Sequence, residues 1–271
     1  MSRALILLLY HGVGADDHGA RMAAAHPRRA EYMLTQPQFE AHLTYLADSG
    51  LSVTRLEDVP QNAPPMPTVV LTFDDGEASC YHTIAPMLER YRLRGEFFIV
   101  SRLIGTPGYV TAEQLRDMAR RGHGVHSHSA SHALLPALDR ARITEEMRSS
   151  KRELEALTGR EVQFFSIPNG AYDARVLEEA RRTGYRGVLN SVEGYNFIDS
   201  ELPFLLKRFA MRAYTPVSEL RAICTDLAAT TRRVAVKRAV LGTCKTLFPF
   251  GLYDKVRDRV ISTMMTARRR G

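Results

Sequence analysis

The feature that most constrains the fold is a short apolar run that stops at two adjacent acidic residues. Residues 68–72 read Thr-Val-Val-Leu-Thr, a β-branched run typical of a buried strand, and Asp74, Asp75 and Gly76 follow after one phenylalanine. Because successive strand residues point to opposite faces, both carboxylates can belong to one site only if the strand ends there and Gly76 turns the chain. Two neighbouring buried carboxylates repel each other unless a cation or a proton separates them. The run therefore predicts a buried strand with a charged site at its carboxyl end.

A histidine-rich cluster further along the chain distinguishes this site from an ordinary turn, which an isolated Asp-Asp-Gly would equally well form. Residues 126–132 read His-Ser-His-Ser-Ala-Ser-His. Imidazole and carboxylate groups are suitable zinc ligands, and a catalytic zinc site has three protein ligands and one open position. His128 and His132 are four residues apart, so both can reach one ion from a helical turn or a compact loop. Ser129 excludes the His-Glu-x-x-His pattern of metalloproteases.

Together these two motifs resemble the first two motifs of the polysaccharide deacetylases, also called the NodB-homology domain or carbohydrate esterase family four. The matching segments are Thr-Phe-Asp-Asp-Gly at residues 72–76 and His-Ser-Ala-Ser-His at residues 128–132. The resemblance implies that Asp74 is the catalytic base. It also implies that one divalent metal ion, expected to be Zn²⁺, is held by three residues: Asp75, His128 and His132. His123 and His126 lie outside the matched positions and are interpreted as neighbouring or core histidines.

The third family motif is altered in this chain. The family usually carries an arginine where this chain has Ser166, so the residue that orients the base is not evident. Arg208 is a candidate replacement, and the alternative is that it is an ordinary exposed arginine. Pro168 and Gly170 keep the backbone demands of the motif. We therefore expect the backbone amide of Asn169 to face the metal and to stabilise an oxyanion.

The general acid is also displaced from its usual place. The family carries a late Leu-x-His motif, whereas no histidine follows His132 in this chain. The segment 8–13, Leu-Leu-Tyr-His-Gly-Val, resembles the amino-terminal motif of deacetylases whose barrel is circularly permuted, including those that act on poly-N-acetylglucosamine. That resemblance implies that His11 is the general acid, at the same rim as Asp75. The alternative is a packed histidine that closes a strand.

Alternating strand and helix patterns indicate an α/β fold with a parallel sheet, and charges at strand carboxyl ends favour a barrel. The resemblance implies a distorted (β/α)7 barrel. We expect residues 1–215 to form this polysaccharide deacetylase barrel and residues 216–271 to form a basic amphipathic helical extension. The apolar run at residues 3–9 is predicted to be an inner barrel strand, because it is short for a secretory signal and is interrupted by Tyr-His-Gly.

Charge and cysteine content limit the partners and the location. Residues 232–271 carry a net charge of +9 within a chain of net charge +7. This segment is interpreted either as a helical cap with a solvated basic face or as a peripheral contact with anionic membrane, anchored at residues 248–250. No nucleic-acid-binding motif is present, so a polynucleotide partner is not expected. Three scattered cysteines and the absence of a long apolar run predict a cytoplasmic protein, with peripheral binding at the inner membrane face as an option.

These observations predict a metal-dependent hydrolase that removes N-acetyl groups from an N-acetylated sugar in a glycan or a lipid-linked glycan. Two alternatives remain open at this point. One is a non-catalytic glycan-binding module of the same fold, motivated by Ser166 and the missing late histidine. The other is a hydrolase of a different amide or of an ester. Asp74 favours an enzyme, because binding alone does not need a catalytic base.

Overall fold

The structure is a computed structural model that describes residues 3–14, 30–59, 67–198 and 201–247, with the backbone alone from residue 240 onward. The described residues divide after Ala213 into two compact units. The first contains the sheet and its covering helices, and the second is helical. The expected boundary between a barrel at 1–215 and an extension at 216–271 stays a prediction.

The first unit is built on a mostly parallel sheet. Its main strands are separated by helical segments, which is the arrangement that parallel pairing requires. The strands in chain order are β1 (Arg3–Tyr10), β2 (Val13–Gly14), β3 (Leu34–Thr35), β4 (Ser52–Val53), β5 (Thr68–Phe73), β6 (Glu96–Ile99), β7 (Gly124–Ser127), β8 (Phe164–Ser166), β9 (Gly187–Leu189), β10 (Asn196–Ile198), β11 (Leu205–Leu206) and β12 (Phe209–Ala210).

The sheet closes almost completely into a barrel. Strands β1, β5, β6, β7, β8 and β9 are hydrogen-bonded in that order, and all of these pairs are parallel. β11 then pairs in parallel with β9, while β12, just beyond it in the chain, pairs in parallel with β1. The segment 205–210 therefore joins the two edges of the sheet and acts as the seventh strand. This confirms the expected distorted (β/α)7 barrel and places the first strand beside the last.

Helices cover the outside of the barrel and begin at capping residues that the sequence makes recognisable. The side chains of Thr35, Thr111, Asp139 and Asp173 each accept a hydrogen bond from a backbone N–H in the first turn of the following helix. A π-helical turn, Cys80–Ile84, precedes the second helix. The helices of the first unit are α1 (Gln36–Asp48), α2 (Ala85–Arg90), α3 (Ala112–Arg120), α4 (Arg140–Thr158) and α5 (Ala174–Arg182).

The second unit contains α6 (Val217–Thr225) and α7 (Leu227–Leu247). Asp226 lies between them, and its carboxylate accepts the backbone N–H of Ala229 at 2.9 Å. The expected third helix near residues 253–265 and the anchor at 248–250 lie outside the described residues. Within the part of the chain that the structure covers, no helix combines the length and apolar character that crossing a membrane would take.

Alternation along the strands decides which side chains enter the barrel. Val70 and Phe98 belong to one buried cluster inside it. Counting in steps of two from Val70, Thr72 and Asp74 face the same way. The same alternation places Ser166 in line with Phe164, which belongs to that cluster. The barrel interior is therefore apolar in its middle and becomes polar at the carboxyl ends of its strands.

Candidate active site

The polar residues singled out from the sequence gather at the carboxyl-terminal rim of the barrel. Asp74 and Asp75 follow β5, His128 follows β7 and Ser166 ends β8. His11 follows β1, whose last residue is paired with the last residue of β5. Because the carboxyl ends of parallel strands meet at one end of a barrel, residues distant in sequence converge there.

Asp75 stands at the centre of a group that could hold a metal ion. Its Oδ1 atom lies 3.5 Å from Nε2 of His128 and 3.6 Å from Nε2 of His132. One ligand atom from each of these residues lies within 4.8 Å of the other two. Asp75 has a φ of 76° and Gly76 a φ of 78°, so two consecutive left-handed residues turn the chain at this point. This is how two adjacent aspartates come to serve one site.

The chemistry of these donors fits a divalent metal ion. Nδ1 of His128 lies 2.8 Å from the carbonyl oxygen of Ser166 and donates its hydrogen to it, which leaves Nε2 free to bind a metal. Two imidazole nitrogens and one carboxylate form the three-ligand set of a catalytic zinc site. The side chain of His132 is 34% exposed, so the group is open on one side. Although burial opposes its charge, the neighbouring imidazoles of His128, His11 and His132 hold the pKa of Asp75 well below its usual range.

Asp74 is held by a fully buried arginine. Nη1 of Arg208 donates to Oδ1 of Asp74 at 2.8 Å, and Nη2 donates to Oδ2 at 2.8 Å. Ser166 Oγ also donates to Oδ2 of Asp74, at 2.9 Å. Burial disfavours the charge of Asp74, but Arg208 and then His128 outweigh it and keep the pKa of the carboxyl below its ordinary value. Asp74 is therefore ionised at neutral pH and fixed in orientation.

Arg208 is itself positioned by further contacts that the sequence did not reveal. Its Nε donates to the carbonyl oxygen of Asn190 at 2.9 Å, and its Nη2 donates to Ser166 Oγ at 2.9 Å. None of its surface is exposed, so its interpretation as an ordinary exposed arginine is wrong. Ser166, at the position of the family's arginine, connects Arg208 to the carboxylate of Asp74. The adjacent residues Lys207 and Phe209 do not indicate that Arg208 holds Asp74. That contact forms only when the barrel closes.

His11 lies close enough to the site to sense its charges. Burial lowers the pKa of its imidazole, and the carboxylates of Asp75 and Asp74 partly offset that effect. Its Nδ1 atom is buried and has no hydrogen-bond partner in the described part of the chain. Its ring lies 4.7 Å from that of Tyr32, measured between centroids. The role of His11 as an acid stays a prediction.

Asn169 occupies the turn after β8 and is exposed. It has a φ of 56°, and the left-handed conformation of the turn continues at Gly170, whose φ is 64°. A side chain on Gly170 would come within 2.8 Å of Ser191, so only glycine fits there. The turn is therefore left-handed at two consecutive residues, and the oxyanion role of Asn169 stays a prediction.

The two remaining histidines near this site are used elsewhere. Nε2 of His126 lies 2.9 Å from the buried carboxylate of Glu96, and Nε2 of His123 lies 2.9 Å from Glu89. Neither belongs to the group around Asp75. Both are buried, which agrees with their interpretation as core histidines, and each has a carboxylate partner that the sequence did not indicate.

Comparison with known proteins identifies a domain within this chain. A polysaccharide deacetylase family model matches residues 61–188. The chain carries a polysaccharide deacetylase domain. It is 26% identical over 187 residues to the putative polysaccharide deacetylase YxkH of Bacillus subtilis, covering 67% of this chain and 62% of that protein. It is 27% identical over 140 residues to a chitooligosaccharide deacetylase of Sinorhizobium fredii, covering 51% of this chain and 63% of that protein. The chain thus spans less than two thirds of each of these relatives.

Solved structures share the fold of this chain. The Streptococcus pyogenes deacetylase PplD, determined in complex with acetate, superimposes with a TM-score of 0.74 at 22% identity, covering 83% of this chain and 99% of that one. IcaB from Ammonifex degensii superimposes with a TM-score of 0.68 at 19% identity, covering 81% of this chain and 96% of that one. At these identities the similarity establishes a shared barrel fold.

Proposed function

We propose that the deacetylase domain is a metal-dependent hydrolase that removes N-acetyl groups from an N-acetylated sugar in a glycan or a lipid-linked glycan. The observation that carries this proposal is the position of Asp74. It lies beside the metal-binding group, with its Oδ2 atom 3.9 Å from Nε2 of His128, yet Arg208 and Ser166 hold it rather than the histidines. A carboxylate with this separate support suits a base better than a further ligand.

The residues Asp75, His128 and His132 would hold the ion, which we take to be Zn²⁺. When bound, such an ion polarises the amide carbonyl and makes water a stronger acid. Oδ1 of Asp74 accepts one hydrogen bond from Arg208 and keeps a second acceptor position. Asp74 would use that position to take the proton of the attacking water. The backbone N–H of Asn169 would donate to the oxyanion that develops on the substrate carbonyl.

His11 would supply the proton that the departing amine needs. Hydrolysis breaks the bond between the carbonyl carbon and the sugar nitrogen, and the nitrogen leaves readily only when it gains a proton. Burial lowers the pKa of His11, so its protonated form is a stronger acid than free imidazolium and gives up its proton more easily. The products are acetate and a free amino sugar.

The substrate class is supported by the relatives. Two of them are named for chitooligosaccharide and chitin, and both names denote deacetylases of N-acetylated sugars.

A cytoplasmic location and a contact of residues 232–271 with anionic membrane are further parts of the proposal that rest on the sequence. The exposed side chains of Arg232 and Arg233 on α7 are compatible with that contact, and also with a solvated helix. Failure to sediment with vesicles of anionic lipid would contradict it.

The test is acetate release from N-acetylglucosamine oligomers and, in parallel, from an O-acetylated xylan fragment, using protein loaded with zinc. His11→Ala is expected to lower release from the oligomers by about 10²-fold. His82→Ala is the matched control, because His82 is an exposed histidine whose ring nitrogen contacts Gln114. Release from the xylan fragment alone would indicate an esterase. Binding of the oligomers without release, with metal present, would indicate a glycan-binding module.

A further inference from the structure

The loop that joins His128 to His132 has an unusual backbone. Ser129 has a φ of 66° and His132 a φ of 60°. A residue other than glycine in this left-handed region is strained, and the conformation persists only where the surroundings hold it. Two such residues within one short loop mean that other contacts must stabilise its shape. The distance between the two imidazoles depends on that shape.

Serine side chains in the loop and just before it stabilise part of this loop conformation. Ser129 Oγ accepts the backbone N–H of His132 at 2.9 Å, and Ser127 Oγ accepts the backbone N–H of Ser129 at 3.2 Å. Ser127 Oγ in turn lies 2.8 Å from Ser150 Oγ, on the buried face of α4. The alternating serines of this segment therefore connect the loop to α4.

Glu146, one turn before Ser150 on α4, provides the strongest contact. Its Oε2 accepts the backbone N–H of Ser131 at 2.8 Å, and its Oε1 accepts the hydroxyl of Ser131 at 2.6 Å. Its own carbonyl oxygen accepts the backbone N–H of Ala130 at 3.1 Å. The residue is buried, and across the described residues its carboxylate forms no ion pair with a lysine, arginine or histidine. The loop therefore uses both oxygens of a buried carboxylate.

We propose that Glu146 is a positioning residue that, together with the contact between Ser127 and Ser150, holds the His128–His132 loop in the shape needed to bind a metal ion. The inference rests on the proposed metal site. A buried carboxylate is costly to keep, and hydrogen bonds to charged groups are stronger than those between neutral groups. The carboxylate of Glu146 accepts hydrogen bonds from the backbone N–H and the hydroxyl of Ser131, the residue before His132. Among the described residues it has no cationic partner that would explain its burial by fold stability alone.

Two substitutions separate positioning from simple stability. Glu146→Ala removes both side-chain acceptors that Ser131 uses and so weakens the attachment of the loop to α4. The bond from the Ala130 N–H to the backbone carbonyl of residue 146 and the contact of Ser127 with Ser150 remain. Glu146→Gln keeps the shape, because its amide oxygen can accept the Ser131 N–H while its NH₂ group donates to the Ser131 hydroxyl. Glu145→Ala is the matched control, since Glu145 is the preceding residue of α4 and is exposed.

The experiment measures zinc affinity of the full chain by competition with a chromogenic chelator, together with the melting temperature of metal-free and zinc-loaded protein. Glu146→Ala is expected to weaken zinc binding by about 10- to 100-fold, which is typical for a group that orients a ligand. The increase in melting temperature on adding zinc should shrink accordingly. Glu146→Gln should recover most of the affinity, and Glu145→Ala should leave it unchanged.

The outcomes distinguish the inference from the proposed function. If the wild-type protein binds no zinc, the proposed metal site fails and the inference fails with it. If the wild type binds zinc and Glu146→Ala binds it equally well, the inference alone is overturned, even if the variant melts earlier. If Glu146→Ala does not fold, Ser131→Ala decides. It removes the contact between the Ser131 hydroxyl and Oε1 of Glu146, so unchanged zinc affinity in this folded variant would also overturn the inference.

Discussion

Replacement of Arg208 by methionine tests how strongly Asp74, the proposed base, depends on its buried partner. The change removes two charge-assisted hydrogen bonds to Asp74, each 2.8 Å long, and leaves a carboxylate whose side chain is 4% exposed. Breaking a buried ion pair from one side costs about 3–5 kcal/mol, because the remaining charge is uncompensated. We therefore expect Arg208→Met to lower the free energy of unfolding by this amount at pH 7.

The pH dependence of this loss gives a second, sharper expectation. In the variant, protonation of Asp74 would neutralise the buried carboxylate. Keeping a carboxyl of ordinary pKa protonated costs about 4 kcal/mol at pH 7 and about 1.5 kcal/mol at pH 5. In the wild type the pKa of Asp74 is lowered, so the contribution of this carboxylate to the free energy of unfolding disappears as the pH falls. In the variant we expect the pKa of Asp74 to be raised, so the free energy of unfolding decreases as the pH rises. The two proteins should therefore converge in stability on acidification.

Urea unfolding at pH 7 and pH 5 measures both quantities, with a chelator present so that metal binding does not contribute. Arg90→Met is the matched control, because Arg90 is 60% exposed and its ion pair with Glu40 should contribute at most about 1 kcal/mol. The double variant Arg208→Met with Asp74→Asn should be more stable at pH 7 than Arg208→Met alone. A loss below about 1 kcal/mol for Arg208→Met that is equal at both pH values would refute this reasoning.

Two further predictions concern groups away from the rim. Burial lowers the pKa of His123, whose Nδ1 accepts the N–H of Gly95, so protonation below about pH 6.5 should destabilise the fold. His123→Gln should make the decline in unfolding free energy between pH 7.5 and pH 5.5 shallower, and an unchanged slope in urea titrations would contradict this. A Cβ atom on Gly124 would overlap with Oε2 of Glu96, so Gly124→Ala should lower the free energy of unfolding by about 1–3 kcal/mol, measured by thermal unfolding. A melting temperature equal to that of the wild type would show that Glu96 moves aside freely.

The parts of the site that the sequence predicted are those encoded by local patterns. The β-branched run before Asp74 forms β5, and the alternation of that strand points Asp74 into the barrel. The four-residue spacing of His128 and His132 permitted one shared ion, and the structure brings both within 3.6 Å of Asp75. His11 lies beside this group because β1 pairs with β5, as a permuted barrel predicts.

What the sequence could not show depends on contacts between distant segments. Arg208 is buried because the segment that contains it closes the barrel between β9 and β1, and its partners come from residues 74, 166 and 190. The support of the histidine loop by Glu146 was missed for a similar reason. A glutamate on an amphipathic helix is usually solvated, and only the packing of α4 against the loop makes this one buried.

The measurement that tests the central claim most directly combines metal content with acetate release from N-acetylglucosamine oligomers for three proteins. We predict that the wild type binds one zinc ion and releases acetate, and that His132→Ala loses both properties. Asp74→Asn should keep the ion and lose release by about 10²–10⁴-fold, because it removes a base and not a ligand. Acetate release by Asp74→Asn at the wild-type rate, or no release by zinc-saturated wild type, would contradict the proposed mechanism.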